Sequence, residues 1–352
     1  MKMRFNHILA LLLTIVMLFS VMQPVMSVAA GVDVNIENIG INTTLISKKD
    51  YNVVSGVTES HIVTQNNDGS NQVRSFVLEV DLNNPDVGII VGYKDYMNNL
   101  AAAPSWGIQT VCDQAVAAEN YYKNVKKMSN FEIVGGVNGD FFNMYVGNPV
   151  GYLVMNGITY NSTYELDFDS FFAILDDGTA IIDSGEIPAN AKEVISGHYI
   201  LVEDGKINPE LYDYELKHPR TSVGIKADGT VVLVAADGRQ DPDSCGQTLV
   251  ENAQQMLSLG CVAAIHLDGG GSATLVSQHE GEKKLSVRNS PSGGAERAVS
   301  STLLVYSTAV SSDISNSNAC DRCGEVHDNF IQEIICFFRD LFNRIIKMFT
   351  GN

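Results

Sequence analysis

Positive charge is scarce in this sequence: 23 Lys and Arg stand against 41 Asp and Glu, a formal net charge of −18. No basic stripe runs along any segment, which argues against a nucleic-acid or other polyanion partner, because nothing is available to displace phosphate counterions. Cysteine is sparse too, with six in 352 residues. That density excludes a disulfide-scaffolded fold and leaves the widely spaced Cys112, Cys245 and Cys261 as core thiols or one incidental bridge. No repeat of solenoid period is present. Neither a G-x-x-x-x-G-K-[ST] phosphate loop nor a G-x-S-x-G nucleophile elbow occurs at the glycine-rich stretch discussed below.

What is present is a globular composition, 45% apolar and 18% charged, in a chain long enough for one large domain or two ordinary ones. Residues 1–30 open with Lys2 and Arg4, continue through an apolar run from Ile8 to Met22 and end in Val28, Ala29 and Ala30. This is the layout of a cleaved secretory signal and predicts an exported protein. Residues 31–71 are polar and weakly patterned, an N-terminal extension able to add an edge strand. From 72 to 306 short apolar or alternating segments bounded by Gly, Asn, Asp or Pro read as strands. "AILDDGTAII" and "VGIKADGTVVLVAADGR" place Asp-Gly between apolar runs, a strong hairpin signal. Helices are expected over Gly107–Lys127 and Gly246–Gly260, the second with Leu249, Ala253, Met256 and Leu257 on one side. The fold class is therefore α+β, a mixed, largely antiparallel sheet system with a few packed helices.

Four polar clusters interrupt the apolar segments where strands should end, the usual place for a site on a rigid scaffold. In "GGVNGDFFN", Asn138 and Asp140 can bond sugar hydroxyls or hold a divalent cation; an ordinary Asn-Gly-Asp turn would use the same residues. In "KHPRTSVG", Arg220 offers a planar fork of donors for phosphate or carboxylate, and His218 can move a proton near neutral pH. "AADGRQ" supplies Asp237 and Arg239, and Glu251 follows on the second helix.

The fourth cluster, "IHLDGGGSATLV", ends a strand at Asp268. Gly269, Gly270 and Gly271 can turn backbone N–H groups into an anion-binding concavity, with Ser272 adding a hydroxyl. A bare carboxylate beside such a nest would repel a phosphate by roughly 1 to 4 kcal/mol. Arginines at 220, 239 and 297, a divalent cation, or protonation of Asp268 would each offset that repulsion.

The order of these stretches, "NGDFF", "HPRTSVG", "DGR", "GxxLxExAxxMxxLGCxxAxxLDGGGSATL" and "NSPSGGAERAVSSTLLV", resembles the phosphodiester glycosidase family from about Val73 to Tyr306. The resemblance implies hydrolysis of the glycosidic bond in a sugar-1-phosphodiester. It carries over Asn138, Asp140, His218, Arg220, Asp237, Arg239, Glu251, Asp268, Ser272 and Arg297 as site positions without stating their roles. On chemical grounds Arg220, Arg297 and the backbone of residues 269–272 suit the phosphodiester, and Asp140, Glu251 and Asp268 are the carboxylates to serve an oxocarbenium-like centre.

Residues 307–318 read as a Ser/Asn-rich linker and 319–352 as a separate module. Cys320, Cys323 and His327 can supply three ligands of a tetrahedral zinc knuckle, and the same two cysteines can instead close as a disulfide. The amphipathic segment after them suits a membrane surface or an envelope partner. The leading expectation is a secreted hydrolase, attached to the cell envelope, acting on a phosphodiester-linked sugar or surface glycopolymer. Its rival is a non-catalytic envelope protein that binds an anionic glycan in the same pocket.

Overall fold

The computed structural model describes residues 43–96, 106–165 and 168–309. The expected signal segment, zinc knuckle and C-terminal amphipathic helix lie outside the described residues, as does the expected linker beyond residue 309; Ser307, its first residue, ends a strand.

Three antiparallel sheets make up the domain. The first has eight strands, in the spatial order Thr43–Val54, Val57–Asn66, Gln72–Val80, Val231–Ala236, Arg220–Lys226, Cys261–His266, Ile200–Glu203 and Lys206–Ile207. The second orders Ile158–Asn161, Leu153–Met155, Ala191–Gly197, Ser170–Leu175 and Ala180–Ser184. The third orders Ser286–Val287, Leu275–Ser277, Glu132–Asn138, Ser301–Ser307 and Val87–Tyr93.

Every pairing among the described strands is antiparallel. The α+β class stands, therefore, without the parallel component that a mixed sheet would have. The local reason is visible in the turns. Asp177 accepts from the Thr179 N–H and Asp228 from the Thr230 N–H, each at 2.9 Å, while Gly178 and Gly229 take φ of 87° and 88°. These turns close two of the hairpins that the Asp-Gly signals predict.

Residues 43–66, weakly patterned in the sequence, form a long two-stranded hairpin at the open edge of the first sheet. The outer strand is exposed along most of its length and carries Lys48, Lys49 and Asp50, which explains its faint apolar alternation and protects a sheet edge from further pairing.

Helix α1, Val111–Asn124, is capped by Thr110, whose side chain accepts from the Asp113 N–H. Helix α2, Leu249–Ser258, starts with a capping box between Thr248 and Glu251 and ends before Gly260, whose φ is 90°. Leu249, Ala253 and Met256 of α2 are buried against Leu201, Val232, Val234 and Ala264 of the first sheet. The main core lies between the first and third sheets and the inner face of α1, and includes Leu78, Val223, Ile265, Val137, Leu304 and Ala115. Cys112, Cys245 and Cys261 are free thiols, which decides between the two readings left open for them.

Candidate active site

The first and third sheets end side by side, and the polar clusters sit on those ends. Arg220 begins a strand paired with Ala236, the residue before Asp237, and His266 ends the neighbouring strand two residues before Asp268. Asn138 ends the central strand of the third sheet. Its carboxamide is fully buried and ties both sheets together. Oδ1 accepts from Thr221 Oγ1 at 2.8 Å and the Thr274 N–H at 3.0 Å, and Nδ2 donates to the Asp268 carbonyl. The Asp268 N–H donates to the Gly139 carbonyl at 3.0 Å. The role of Asn138 here is to hold Asp268 in place.

Part of the expected backbone nest is occupied within the chain. Residues 270–272 make a single 3-10 turn, in which the Gly270 N–H donates to the Pro219 carbonyl (2.8 Å) and the Ser272 N–H to the Gly269 carbonyl (3.1 Å). Those donors are spoken for. What the glycines supply is room for guanidinium groups. A Cβ on Gly271 would stand 2.1 Å from Arg297 Nη2, and one on Gly270, where φ is also +58°, would stand 3.3 Å from Arg239 Nη2. A Cβ on Gly269 would meet the Pro219 carbonyl at 2.6 Å. The missing side chains let two arginines lie against the loop backbone.

Arg220 is the deeply placed cation, 8% exposed. Nε donates to the Gln247 carbonyl and Nη2 to the Leu216 carbonyl, both at 2.9 Å, while Nη1 approaches His266 Nε2 at 3.4 Å. Burial, and then the neighbouring Arg239, lower its pKa to about 10, so it stays charged. Arg297 Nη1 reaches Ser272 Oγ at 3.3 Å, and Arg239 Nη2 faces His218 Nδ1 at 3.2 Å. Among the described residues no carboxylate lies in ion-pairing distance of Arg220, Arg239 or Arg297. Three guanidinium groups with no ion-paired carboxylate face one depression, which Asp213, Glu215 and Asp268 also line, and such a set suits an anionic ligand.

The carboxylates separate into distinct kinds. Asp268 faces the depression, and desolvation raises its pKa to about 6 against the opposing pull of the Ser272 hydroxyl, Arg297 and the Gly269 N–H. Asp140 is 1% exposed, accepts from the Gly151 N–H at 2.9 Å and keeps Oδ1 without a partner. Burial pushes its pKa well above the carboxylate range, with the Asp268 charge adding to the shift. Asp237 accepts from Asn289 Nδ2 and the Ser290 N–H and lies 3.7 Å from Arg74, so it anchors the 289–290 turn outside the pocket. Glu251 caps its own helix and pairs with Lys217 at 2.7 Å. The structure thus gives Glu251 a helix-terminal role where the sequence made it a catalytic candidate.

His218 lines the pocket, but burial and the flanking Arg220 and Arg239 lower its pKa, which favours the neutral ring. His266, which the sequence reading missed, is buried at the pocket floor and its pKa is lowered further, first by desolvation and then by Arg220. Its Nε2 faces the Arg220 donor and so accepts, leaving the proton on Nδ1, an atom with no partner.

The depression is a cavity of about 520 Å³ that also holds His218, Arg239, Arg297 and Asp268. Asn138, Asp140, Asp237, Glu251 and Ser272 do not line it. One wall is aromatic. Phe168 stacks on His198 (4.3 Å, 11°), His198 contacts Tyr199 (3.8 Å), and Tyr199 contacts Tyr214 (4.8 Å). His198 and Tyr199 stand between two second- and first-sheet strands in "SGHYI", a stretch whose only sequence signal is its pair of rings beside a glycine. The rim residues Tyr214 and Leu216 are 43% and 73% exposed, an apolar lip over a pocket that holds three arginines and the carboxylates of Asp213, Glu215 and Asp268.

Fold and site together define an α+β domain of three antiparallel sheets with an arginine-bearing, aromatic-walled pocket where the first and third sheets end. The chain belongs to the phosphodiester glycosidase family, whose model matches residues 131–306, half of the 352-residue sequence. It is 33% identical over 172 residues, 45% of this chain and 26% of the relative, to an uncharacterised protein derived from the SPbeta prophage of Bacillus subtilis (strain 168). It is 31% identical over 161 residues to the mouse (Mus musculus) N-acetylglucosamine-1-phosphodiester alpha-N-acetylglucosaminidase, 40% of this chain and 31% of that enzyme. The matched region thus spans less than a third of either relative.

Among solved structures, the fold is similar to the zebrafish N-acetylglucosamine-1-phosphodiester alpha-N-acetylglucosaminidase catalytic domain, auto-inhibited by its pro-peptide. That match has a TM-score of 0.56 at 20% identity and covers 75% of this chain and 88% of that one. It is also similar to a hypothetical protein from Synechocystis, with a TM-score of 0.50 at 12% identity over 74% of this chain and 64% of that one.

Proposed function

We propose that this chain is a glycosidase that hydrolyses the glycosidic bond of a sugar-1-phosphodiester. The observation that carries this reading is the set of three arginines without carboxylate partners, Arg220, Arg239 and Arg297, around a carboxyl group whose pKa is about 6. The arginines take the phosphodiester, Arg220 from the pocket floor and the other two from beside the glycine turn. Their charge answers the repulsion between Asp268 and the substrate's phosphate. The aromatic wall of His198, Tyr199 and Tyr214 receives the apolar face of the sugar ring.

A phosphodiester leaves readily as an anion, so the step that needs help is attack at the anomeric carbon. With its pKa near 6, Asp268 is mostly ionised at neutral pH, free to activate water or to attack directly. Asp140 lies behind it and, held neutral by burial, adds no second negative charge that would keep Asp268 protonated. Neutral His266 keeps Arg220 oriented without competing with it for the anion.

The experiment is release of free sugar from a synthetic N-acetylglucosamine-1-phosphodiester, run with and without divalent cations and with Arg220→Ala alongside. Removing a preorganised donor from a developing anion costs on the order of 10²- to 10³-fold in rate, and that loss is expected for Arg220→Ala. Binding without release by the wild-type chain, in every cation condition, would favour the non-catalytic glycan-binding reading instead. The basic, then apolar, then small-residue order of residues 1–30 supports export, which makes surface glycopolymers joined by sugar-phosphate links a natural substrate class. Deleting the chain after Ser307 should leave activity intact and abolish envelope association; unchanged partitioning would remove the attachment role of the tail.

A further inference from the structure

A second constellation of polar side chains lies outside the pocket. Glu59 and His61 alternate onto the same face of the Val57–Asn66 strand, and His279 reaches them from the turn after the Leu275–Ser277 strand of the third sheet. One ligand atom from each of the three lies within 4.8 Å of the others. Both imidazole Nε2 atoms turn to Glu59 Oε1: that of His61 in direct contact, that of His279 at 3.2 Å. The His279 contact has the distance of a hydrogen bond without its alignment, so Nε2 remains without a partner. Glu59 is 0% exposed, and its second oxygen, Oε2, also has none. The Ser277 hydroxyl, which flanks the carboxylate, already accepts from Arg288 Nε at 2.7 Å.

The rings are held in place by packing. Tyr51 stacks on His279 (4.3 Å, 14°) and tilts against His61 (4.6 Å), while Phe76 meets the other edge of His61 (4.6 Å). Glu282 accepts from the His279 backbone N–H at 2.9 Å and pairs with Arg288, which fixes the turn that carries His279; its carboxylate stands 3.9 Å from the far ring nitrogen, Nδ1. The side chains of His61 and His279 keep 27% and 13% of their surface exposed, enough for an ion to enter from solvent. A single carboxylate–imidazole pair would account for one histidine. Two imidazole nitrogens converging on one carboxylate, with a buried oxygen and a buried nitrogen left over, form a donor set that a cation between them would satisfy.

We infer that Glu59, His61 and His279 form a three-ligand site for a divalent transition-metal ion of the zinc class, with a fourth position open to water. The ion clamps the edge hairpin of residues 43–66 to the turn that follows the Leu275–Ser277 strand. None of the three ligands lines the arginine pocket, so the clamp acts on stability rather than on the reaction.

The test uses the full chain with Cys320→Ser, Cys323→Ser and Cys336→Ser, which removes the tail thiolates, after stripping with a chelator. Titration with cobalt(II) should give one ion per chain, d–d absorption without a thiolate charge-transfer band, bleaching by zinc(II), and a higher thermal midpoint. His61→Gln and His279→Gln should each weaken binding by more than the roughly 10- to 100-fold that loss of an outer-sphere partner costs. Failure to bind cobalt, or uptake unchanged in both histidine variants, overturns the site. Should a histidine variant not fold, X-ray absorption on the zinc-loaded triple-serine chain decides: two imidazoles and no sulfur support the assignment, and any other shell defeats it.

Discussion

Asp237 and Asp268 begin from the same local grammar: each ends an apolar strand of the first sheet, each is followed by glycine, and desolvation raises the pKa of each. Their surroundings then diverge. Asp237 is closed in by Asn289, Ser290 and Arg74 and has nothing left to offer a ligand. Asp268 has its backbone fixed by Asn138 and Gly139 while its side chain looks into a pocket whose arginines carry no carboxylate partner. A strand-terminal Asp-Gly is therefore a position at which either an anchor or a reactive group can be built. The decision rests on the neighbours that tertiary packing brings.

Substitution should break the comparison most sharply at the reactive member. Asp268→Asn is expected to lower kcat by at least about 10²- to 10⁴-fold, the range for loss of a positioned base, with the fold retained by circular dichroism. Near-normal turnover would move the reaction to another group. A smaller effect is expected from Gly271→Ala, whose added methyl displaces the Arg297 guanidinium. KM for the phosphodiester should rise roughly tenfold, in keeping with the loss of one charge-assisted contact, while kcat changes less. Asp237→Asn should act on stability instead, costing about 1 to 3 kcal/mol in urea unfolding by weakening a buried acceptor of hydrogen bonds.

The smallest signal is the dependence of the Asp268 effect on pH. A carboxyl with a raised folded-state pKa binds its proton more tightly in the folded chain, so its contribution to stability falls as pH rises from about 4 to about 6 and is flat above. Asp268→Asn should therefore be as stable as wild type near pH 4 and more stable by about 1 to 3 kcal/mol at pH 7. In the same interval wild-type kcat/KM should climb through an acid limb near 6; a rate that instead falls there would make Asp268 an acid.

Much of the fold was legible from local chemistry. The Asp-Gly hairpins, the two helices with Thr110 and Thr248 as caps, and the apolar face of α2 all rest on interactions between residues near in sequence. The 43–66 hairpin was only faintly legible, because an exposed edge strand needs no apolar alternation. In the site, the arginines and Asp268 could be named from their motifs, but the function of the glycines could not. The Gly270 N–H is taken by the Pro219 carbonyl, and the glycines also leave the space for Arg239 and Arg297, which arrive from distant segments. His266, His198 and Tyr199 stayed hidden since each sits in a stretch that also reads as ordinary strand or turn. Glu251 misled for the opposite reason: a carboxylate three residues into a helix is what a capping box requires.

The Asn138 carboxamide joins residues 138, 221, 268 and 274, which lie in or beside strands of the first and third sheets and come from separate stretches of the sequence. Contacts of such long range are expected to close after the sheets dock, which would put the bonds that place Asp268 among the last to form. A chain with its sheets assembled but not yet joined holds secondary structure without a working centre, so turnover reports completion of the native state rather than mere compaction.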